Sequence, residues 1–366
     1  MAWRIEKRPA TLAPAPVWAF PAALGFAIAV GAFIFVALGA NPLTAYGVMF
    51  KGAFGSFFHF SEVIVRAIPL MLTGLAVAVA ATMLLWNIGC EGQLVWGGIC
   101  AAGTGLFLAP HLPPLLVIPA TIAAGAVGGA LWALIPGVLK AYLAVNEILS
   151  SLLLNYIAII FMEHLYFGPW RNPDGYGFPG TAQIAEMARI PHFFGTRIHL
   201  GLLLALVLSV VLCWTLRTTR WGYRVRAIGL NRRAARYAGF KIRRHIVGVM
   251  LLSGALAGLA GMAEVSGIHF RLQQGLAVGY GYDGIIVAWL ARLNPLAVPL
   301  MALLLGALIV GGEQLQAVLH LPASISMVLE AVLLFGLLLS EALSRYRLVR
   351  RPLAANSDVT QEEKAS

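Results

Sequence analysis

The sequence predicts an all-α integral membrane protein of about ten transmembrane helices, one of them short and discontinuous, because runs of ~20 apolar residues recur along it and that is the length needed to cross ~30 Å of hydrocarbon. Composition agrees. Hydrophobic residues make up 60% of the 366 positions and charged residues 11%, with a mean hydropathy of +0.84. A soluble domain has roughly 45–50% apolar and about 25% charged residues, so this chain has too little charge to cover a globule in water. The runs are continuously apolar rather than alternating. That selects helices over a closed barrel, the two architectures that satisfy every backbone group in lipid.

In order, the expected spans are 17–39, 62–86, 92–110, 115–138, 147–168, 200–217, 246–266, 281–293, 296–318 and 322–343. The eighth is too short to cross alone, reaching only about 20 Å at 1.5 Å per residue. Arg4, Lys7 and Arg8 precede the first apolar stretch as in a secretory signal. That stretch is longer than an h-region, so it reads as an uncleaved first span. Residues 1–16 and 344–366 are then terminal tails around one transmembrane domain, 17–343, and the polar end after Pro352 reads as disordered. Cys90, Cys100 and Cys213 lie in or beside apolar segments with no paired spacing, so they read as packing residues rather than disulfide or zinc ligands.

Basic residues set the orientation. Ten of the 26 lie between Arg217 and Arg244, a stretch with no Asp or Glu. This marks 218–245 as a cytoplasmic loop. Lys140, Arg292 and Arg345, Arg347, Arg350 and Arg351 agree, and ten spans put both chain ends on that side. The longest opposite loop, 168–199, mixes charges and holds four prolines, as expected of an ordered extracytoplasmic loop.

Polar groups inside apolar spans are costly and mark candidate sites. Asn87, Glu91 and Gln93 lie in W-N-I-G-C-E-G-Q, where Gly89 and Gly92 would permit a tight turn between two spans. Asn146 and Glu147 open the fifth span. Glu147, Ser151 and Asn155 follow at helical spacing on one face. In G-Y-G-Y-D-G, Asp283 is expected to cap a half-helix starting at Gly284, as in discontinuous spans beside a substrate path. These eight residues are the expected lining of a translocation path; helix packing and interhelical hydrogen bonds are the competing account. The small-residue runs at 97–105, 125–130 and 253–261 suit close helix approach.

The basic loop contains L-N-R-R-A-A-R-Y-A-G, a short helix with Asn231 as N-cap and Gly239 beyond its end. Leu230, Ala234, Tyr237 and Ala238 fall on one side, and Arg232, Arg233 and Arg236 occupy the rest. Arginines at a helix N-terminus oppose its dipole, so an outside partner is expected: membrane lipid or an acidic groove on a cytoplasmic protein. Nucleic acid fits poorly, since the patch is short and tied to the bilayer. The sequence has no phosphate-binding loop, no H-E-x-x-H, no G-x-S-x-G and no His/Cys cluster, so neither ATP hydrolysis nor hydrolytic chemistry is expected of it.

These motifs, in this order, resemble the permease subunits of bacterial simple-sugar and nucleoside ABC importers, in the ribose and branched-chain amino acid permease superfamily. The resemblance runs from about 67 to 342 through P-L-M-L-T-G-L, W-N-I-G-C-E-G-Q, V-N-E-I-L-S-S-L-L-L-N-Y-I-A, R-A-I-G-L-N-R-R-A-A-R-Y-A-G, L-S-G-A-L-A-G-L-A-G, G-Y-G-Y-D-G-I-I-V-A and N-P-L-A-V. It implies a multi-pass protein of the bacterial cytoplasmic membrane, paired with a second and related permease. It implies a separate cytoplasmic ATP-binding subunit, which holds the ATP and Mg while this chain carries no cofactor, and an extracytoplasmic substrate-binding protein. Gly229, Asn231, Ala234, Ala235 and Gly239, with Arg232, Arg233, Arg236 and Tyr237 between them, would form the coupling helix that docks on the ATPase. Two arginines at 232 and 233 make this chain more basic there than the family pattern. An ion-coupled carrier working alone, a branched-chain amino acid permease, and a membrane enzyme using Glu147 or Glu91 are the alternatives.

Overall fold

The computed structural model describes residues 2–7, 19–175, 177–322 and 324–351. In chain order the elements are β1 (Ala2–Lys7), α1 (Ala19–Ala37), α2 (Pro42–Phe54), α3 (Phe57–Ala81), α4 (Cys90–Gly103), α5 (Pro114–Leu143), α6 (Glu147–Phe167), α7 (Gly201–Thr218) and α8 (Arg220–Leu230). They continue with α9 (Arg232–Tyr237), α10 (Ile242–Glu264), α11 (Tyr280–Leu290), α12 (Val298–Leu319), α13 (Ser324–Arg345) and β2 (Tyr346–Arg351). A π turn extends α4 over Thr104–Leu108 and α10 over Val265–His269.

The chain is a helical membrane protein. Seven described helices are long and apolar enough to cross a membrane, or eight if the broken pair α1–α2 is one span. The expected ten also counted 281–293, where α11 has 11 residues, and 322–343, where the apolar part of α13 is Ser324–Gly336. Besides the expected short helix α9, two helices lie outside the expected spans. α2 starts on Pro42, and α8 is a basic amphipathic helix capped by Thr219, whose Oγ1 accepts from Gly222 N at 3.0 Å. Hydropathy alone reads the first as a loop end and the second as polar linker.

The chain divides into two compact units. The larger, Gly47–Ser326, has α3 and α10 at its centre: α10 packs on α3, α4 and α5, and α3 also meets α7, α11 and α12. Every residue from Ala67 to Ala80 is buried. Glycines make this possible. A Cβ on Gly258 would overlap the carbonyl of Gly125, and one on Gly129 would overlap that of Gly254. Gly97 of α4 meets the backbone of Gly258 in the same way. The three small-residue runs therefore converge on α10, the close approach that drives helix association in lipid. Cys90 and Cys213 are buried, Cys100 is half-buried, and all three are free.

The smaller unit joins the chain ends. Phe26 of α1 and Phe335 of α13 lie 6.2 Å apart between ring centroids. Tyr46 Oη donates to Ile28 O at 2.7 Å. β1 and β2 pair antiparallel from Ala2↔Arg351 to Lys7↔Tyr346, so segments expected as free tails form a two-stranded ribbon. The tail after Pro352 lies outside the described residues.

Candidate functional site

Two long helices of the larger unit are followed by an irregular return of the chain into the bundle. α3 ends at Ala81, and the chain returns as irregular backbone before α4 starts at Cys90. α10 ends with its π turn at His269, and the irregular stretch 270–279 leads to α11 at Tyr280. Both new helices begin inside the protein. Tyr280 O accepts from Thr73 Oγ1 at 2.9 Å, and Thr73 lies about 24 Å along α3 at 1.5 Å per residue. Asn87, just before α4, donates to Ser253 Oγ at 2.8 Å, and Ser253 donates to Ala76 O at 2.6 Å. Two helix N-termini, each carrying partial positive charge, thus meet at the depth of the α3 interior.

Glu91 joins them. It is the second residue of α4 and is 1% exposed. Its Oε1 accepts from Gly279 N at 2.9 Å and its Oε2 from Gly281 N at 2.6 Å, the first free N–H groups of α11. This corrects the expectation for Asp283. α11 starts at Tyr280 rather than Gly284, Gly279 has no side chain to cap it, and the capping carboxylate comes from another helix. A local motif can show only a local cap. Asp283 sits a turn inside α11, half-buried. The expected turn chemistry at Gly89 and Gly92 is also different. Gly89 has φ −72°, Gly92 is helical, and the positive φ falls on Leu84. The glycines instead allow contact: a Cβ on Gly89 would lie 2.8 Å from Ser151 Cβ, and one on Gly92 2.9 Å from Asn155 Oδ1.

The expected polar residues fall into two groups. Asn87, Glu91, Gln93, Ser151 and Asn155 are buried around the junction. Asn87 and Gln93 exchange a pair of amide hydrogen bonds at 2.8 Å each. Asn155 accepts from Gly92 N at 2.9 Å and donates to Ile88 O at 2.9 Å and to Tyr282 Oη at 3.1 Å. Asn146 and Glu147 stand apart, at the start of α6. Asn146 accepts from Ile148 N at 2.9 Å as its N-cap. Glu147 pairs with Lys140 Nζ at 2.5 Å beside a cavity of about 520 Å³ that Leu84, Gly229, Asn231, Arg232 and Arg233 also line.

That cavity lies between the start of α6 and the basic loop. In α9, Asn231 Oδ1 accepts from Arg233 N and Ala234 N at 3.0 Å each, and Gly239 takes φ +78° past the helix end. Ala235 is the buried residue of α9, while Leu230 is 89% and Tyr237 94% exposed. The apolar side read from spacing therefore faces outward with the arginines, an arrangement suited to a docking surface. Gly229 presses on Thr82 O, and Arg232 Nη2 reaches Met83 O at 3.5 Å. Those residues begin the irregular segment that leads to Asn87 and Glu91.

Three charged or phenolic groups missed by motif reading also belong here. Arg66 Nη2 meets Glu313 Oε1 at 2.7 Å, and Arg66 Nη1 donates to Tyr280 Oη at 2.9 Å. A lone arginine in the apolar run S-E-V-I-V-R-A-I-P-L was a legible signal. Its partners, more than 200 positions away, were not. Among the described residues no group of His, Cys, Asp and Glu could hold a metal ion.

Long apolar helices around a buried polar junction, with a capped basic helix exposed at one end, define a multi-pass membrane protein. Residues 59–338 match the family described as branched-chain amino acid transport system / permease component, and the chain belongs to that family. It is 38% identical over 332 residues to a glucose ABC transporter permease protein of Haloferax volcanii, covering 88% of this chain and 87% of that one. It is 33% identical over 316 residues to a guanosine ABC transporter permease protein of Bacillus subtilis, covering 84% and 89%. With a nucleoside ABC transporter permease protein of Lactococcus lactis subsp. cremoris it shares 30% identity over 324 residues, covering 86% and 88%.

Proposed function

We propose that this chain is the membrane-spanning half of an ATP-driven importer and forms, with a second and related permease, the path for a nucleoside or simple sugar. It belongs to the cytoplasmic membrane with both chain ends and loop 218–245 inside. An extracytoplasmic binding protein delivers substrate to the side of loop 168–199. A cytoplasmic ATP-binding subunit holds ATP and Mg and docks on α8–α9. Substrate crosses by alternating access, and the ligand shifts that equilibrium only by its differential affinity for the two states.

The observation that carries this reading is α9. A carrier working alone has no use for a capped helix that exposes Tyr237 and three arginines beside Leu230 of α8, while Gly229 of α8 bears on Thr82 and Arg232 on Met83. Motion of α9 reaches the α4/α11 junction through eight residues of irregular chain. The names of the relatives support glucose, guanosine and other nucleosides as the substrate class.

The test is uptake of labelled adenosine and labelled glucose, each with the other as competitor, into cells lacking their own importers for both. The cells carry the complete transporter operon with or without this chain. Uptake that needs both this chain and ATP supports the proposal, and the labelled compound taken up decides the substrate. Uptake by the purified chain in vesicles without an ATPase would overturn the proposal in favour of a solitary carrier.

A further inference from the structure

The cavity beside α9 carries charge that the chain does not neutralise. Its walls hold Lys140, Arg232 and Arg233 against one carboxylate, Glu147, and Glu147 is already paired with Lys140. The stretch from Arg217 to Arg244 contains no Asp or Glu. Among the described residues, the side chain of Arg232 reaches Met83 O at 3.5 Å and that of Arg233 has no partner. The backbone of α9 adds nothing, because the N–H groups of Arg233 and Ala234 are taken by Asn231 Oδ1. Two guanidinium groups therefore stay open in a cavity of about 520 Å³, and they call for an anion from outside the chain.

Position selects the kind of anion. Lys140 lies in the last turn of α5 and Glu147 opens α6, and both helices are long and apolar enough to cross a membrane. The cavity is thus level with the ends of two spans, where the charged head groups of phospholipids lie. Its lip is apolar. Leu84 and Leu230 line it and are exposed, and so are Tyr142, Leu143 and Val145 around the adjoining turn from α5 to α6. A cationic hollow edged by leucines matches an amphiphile with an anionic head. A carboxylate on a cytoplasmic protein has no use for the apolar lip. Arg236 and Tyr237 do not line the cavity and remain exposed on α9 for protein docking.

We propose that this cavity binds the phosphate of an anionic phospholipid, with Arg232 and Arg233 on the phosphate and Leu84 and Leu230 against the acyl chain. A guanidinium fork matches phosphate oxygens two at a time, and basic pockets at the ends of membrane helices take lipid head groups in this way. The Lys140–Glu147 pair supplies no net charge, so the two arginines set the affinity. Bound there, the lipid ties the start of α9 to Leu84, in the irregular segment that leads to Asn87 and Glu91. The site does not depend on the importer reading, and lipid retention is read without transport.

The test is lipid retention by the full chain, purified in detergent with the operon products that accompany it. Dioleoylphosphatidylglycerol, dioleoylphosphatidylcholine and inorganic phosphate are titrated separately. Bound lipid is counted by native mass spectrometry, and the melting temperature is followed alongside. The expected result is retention of phosphatidylglycerol over phosphatidylcholine, with a rise in melting temperature that inorganic phosphate does not reproduce. Arg232→Gln combined with Arg233→Gln should lower the phosphatidylglycerol affinity about 30-fold, the sum of two arginine contacts at a lipid surface. Its melting temperature in phosphatidylcholine should match wild type. Arg244→Gln, an exposed arginine of the same loop outside the cavity, should leave the affinity unchanged. If the double variant does not purify, Arg233→Gln alone should show a loss of about fivefold. Equal retention of the two lipids, or an equal loss in Arg244→Gln, overturns the site in favour of diffuse surface charge. A phosphate shift as large as that of the lipid overturns it in favour of a free anion. Loss of the ATP-binding subunit with lipid retention intact overturns it in favour of protein docking.

Discussion

Glu91 holds the N–H groups of Gly279 and Gly281 in a buried setting. A buried donor that loses its acceptor costs about 1–3 kcal/mol. Glu91→Ala should therefore destabilise the chain by about 2–4 kcal/mol, read as a lower melting temperature in detergent, while Glu91→Gln, which keeps one acceptor oxygen, should fall between. Equal melting temperatures for all three would show that the cap adds nothing. His199 makes a second case outside the spans. It is fully buried, its Nδ1 accepts from Gly201 N at 3.1 Å, and its Nε2 has no partner among the described residues. Burial first, then the nearby His192 and Arg197, push its pKa down to about 4 from the usual 6.5. The folded state then holds His199 neutral while the unfolded chain takes up a proton below pH 6.5. Stability should fall as pH drops from about 6.5 towards 4. His199→Asn, which keeps an acceptor for Gly201 N, should flatten that part of a melting-temperature profile. An unchanged slope would remove His199 as the cause.

Among the elements, α10 depends on the absence of side chains. Gly258 touches the backbones of both α5 and α4. Gly258→Val should force α10 away from its neighbours at a cost of about 3 kcal/mol or more. The expected readout is loss of the monodisperse peak on size exclusion. Gly248→Ala on the same helix meets open space and should change stability by no more than about 0.5 kcal/mol. α9 is the opposite kind of element, short and held by its ends. Asn231→Ala removes acceptors for two N–H groups, worth about 1 kcal/mol. Retention of the ATP-binding subunit on an affinity column should weaken while the permease itself still purifies. Much of this was legible. Asn231 and Gly239 are local signals within three residues of the groups they serve, and the small-residue runs announced close packing. The start of α11 was not legible, because Gly279 lacks a side chain and Glu91 lies 188 positions away.

For the whole molecule, the paired strands β1 and β2 bring the two chain ends together. Reporter fusions at either end should therefore report the same compartment, and a fusion within 168–199 the opposite one. Opposite reports from the two ends would break both the ribbon and the proposed orientation. Arg66, Tyr280 and Glu313 also belong to this scale, since three helices must assemble before they become one polar group.

Apolar run length, glycine spacing and the clustering of arginine fixed the class of this chain, most of its long apolar helices and its exposed basic helix. Each depends on the residue and its near neighbours, because hydrocarbon thickness and helix periodicity act locally. Motif order was enough to suggest the family. Tertiary structure alone decided which polar residues brace the α4/α11 junction, which carboxylate caps α11, and which residues pair with Arg66. A buried donor needs an acceptor within about 3 Å, and in a helical bundle that acceptor is as readily 200 residues away as four.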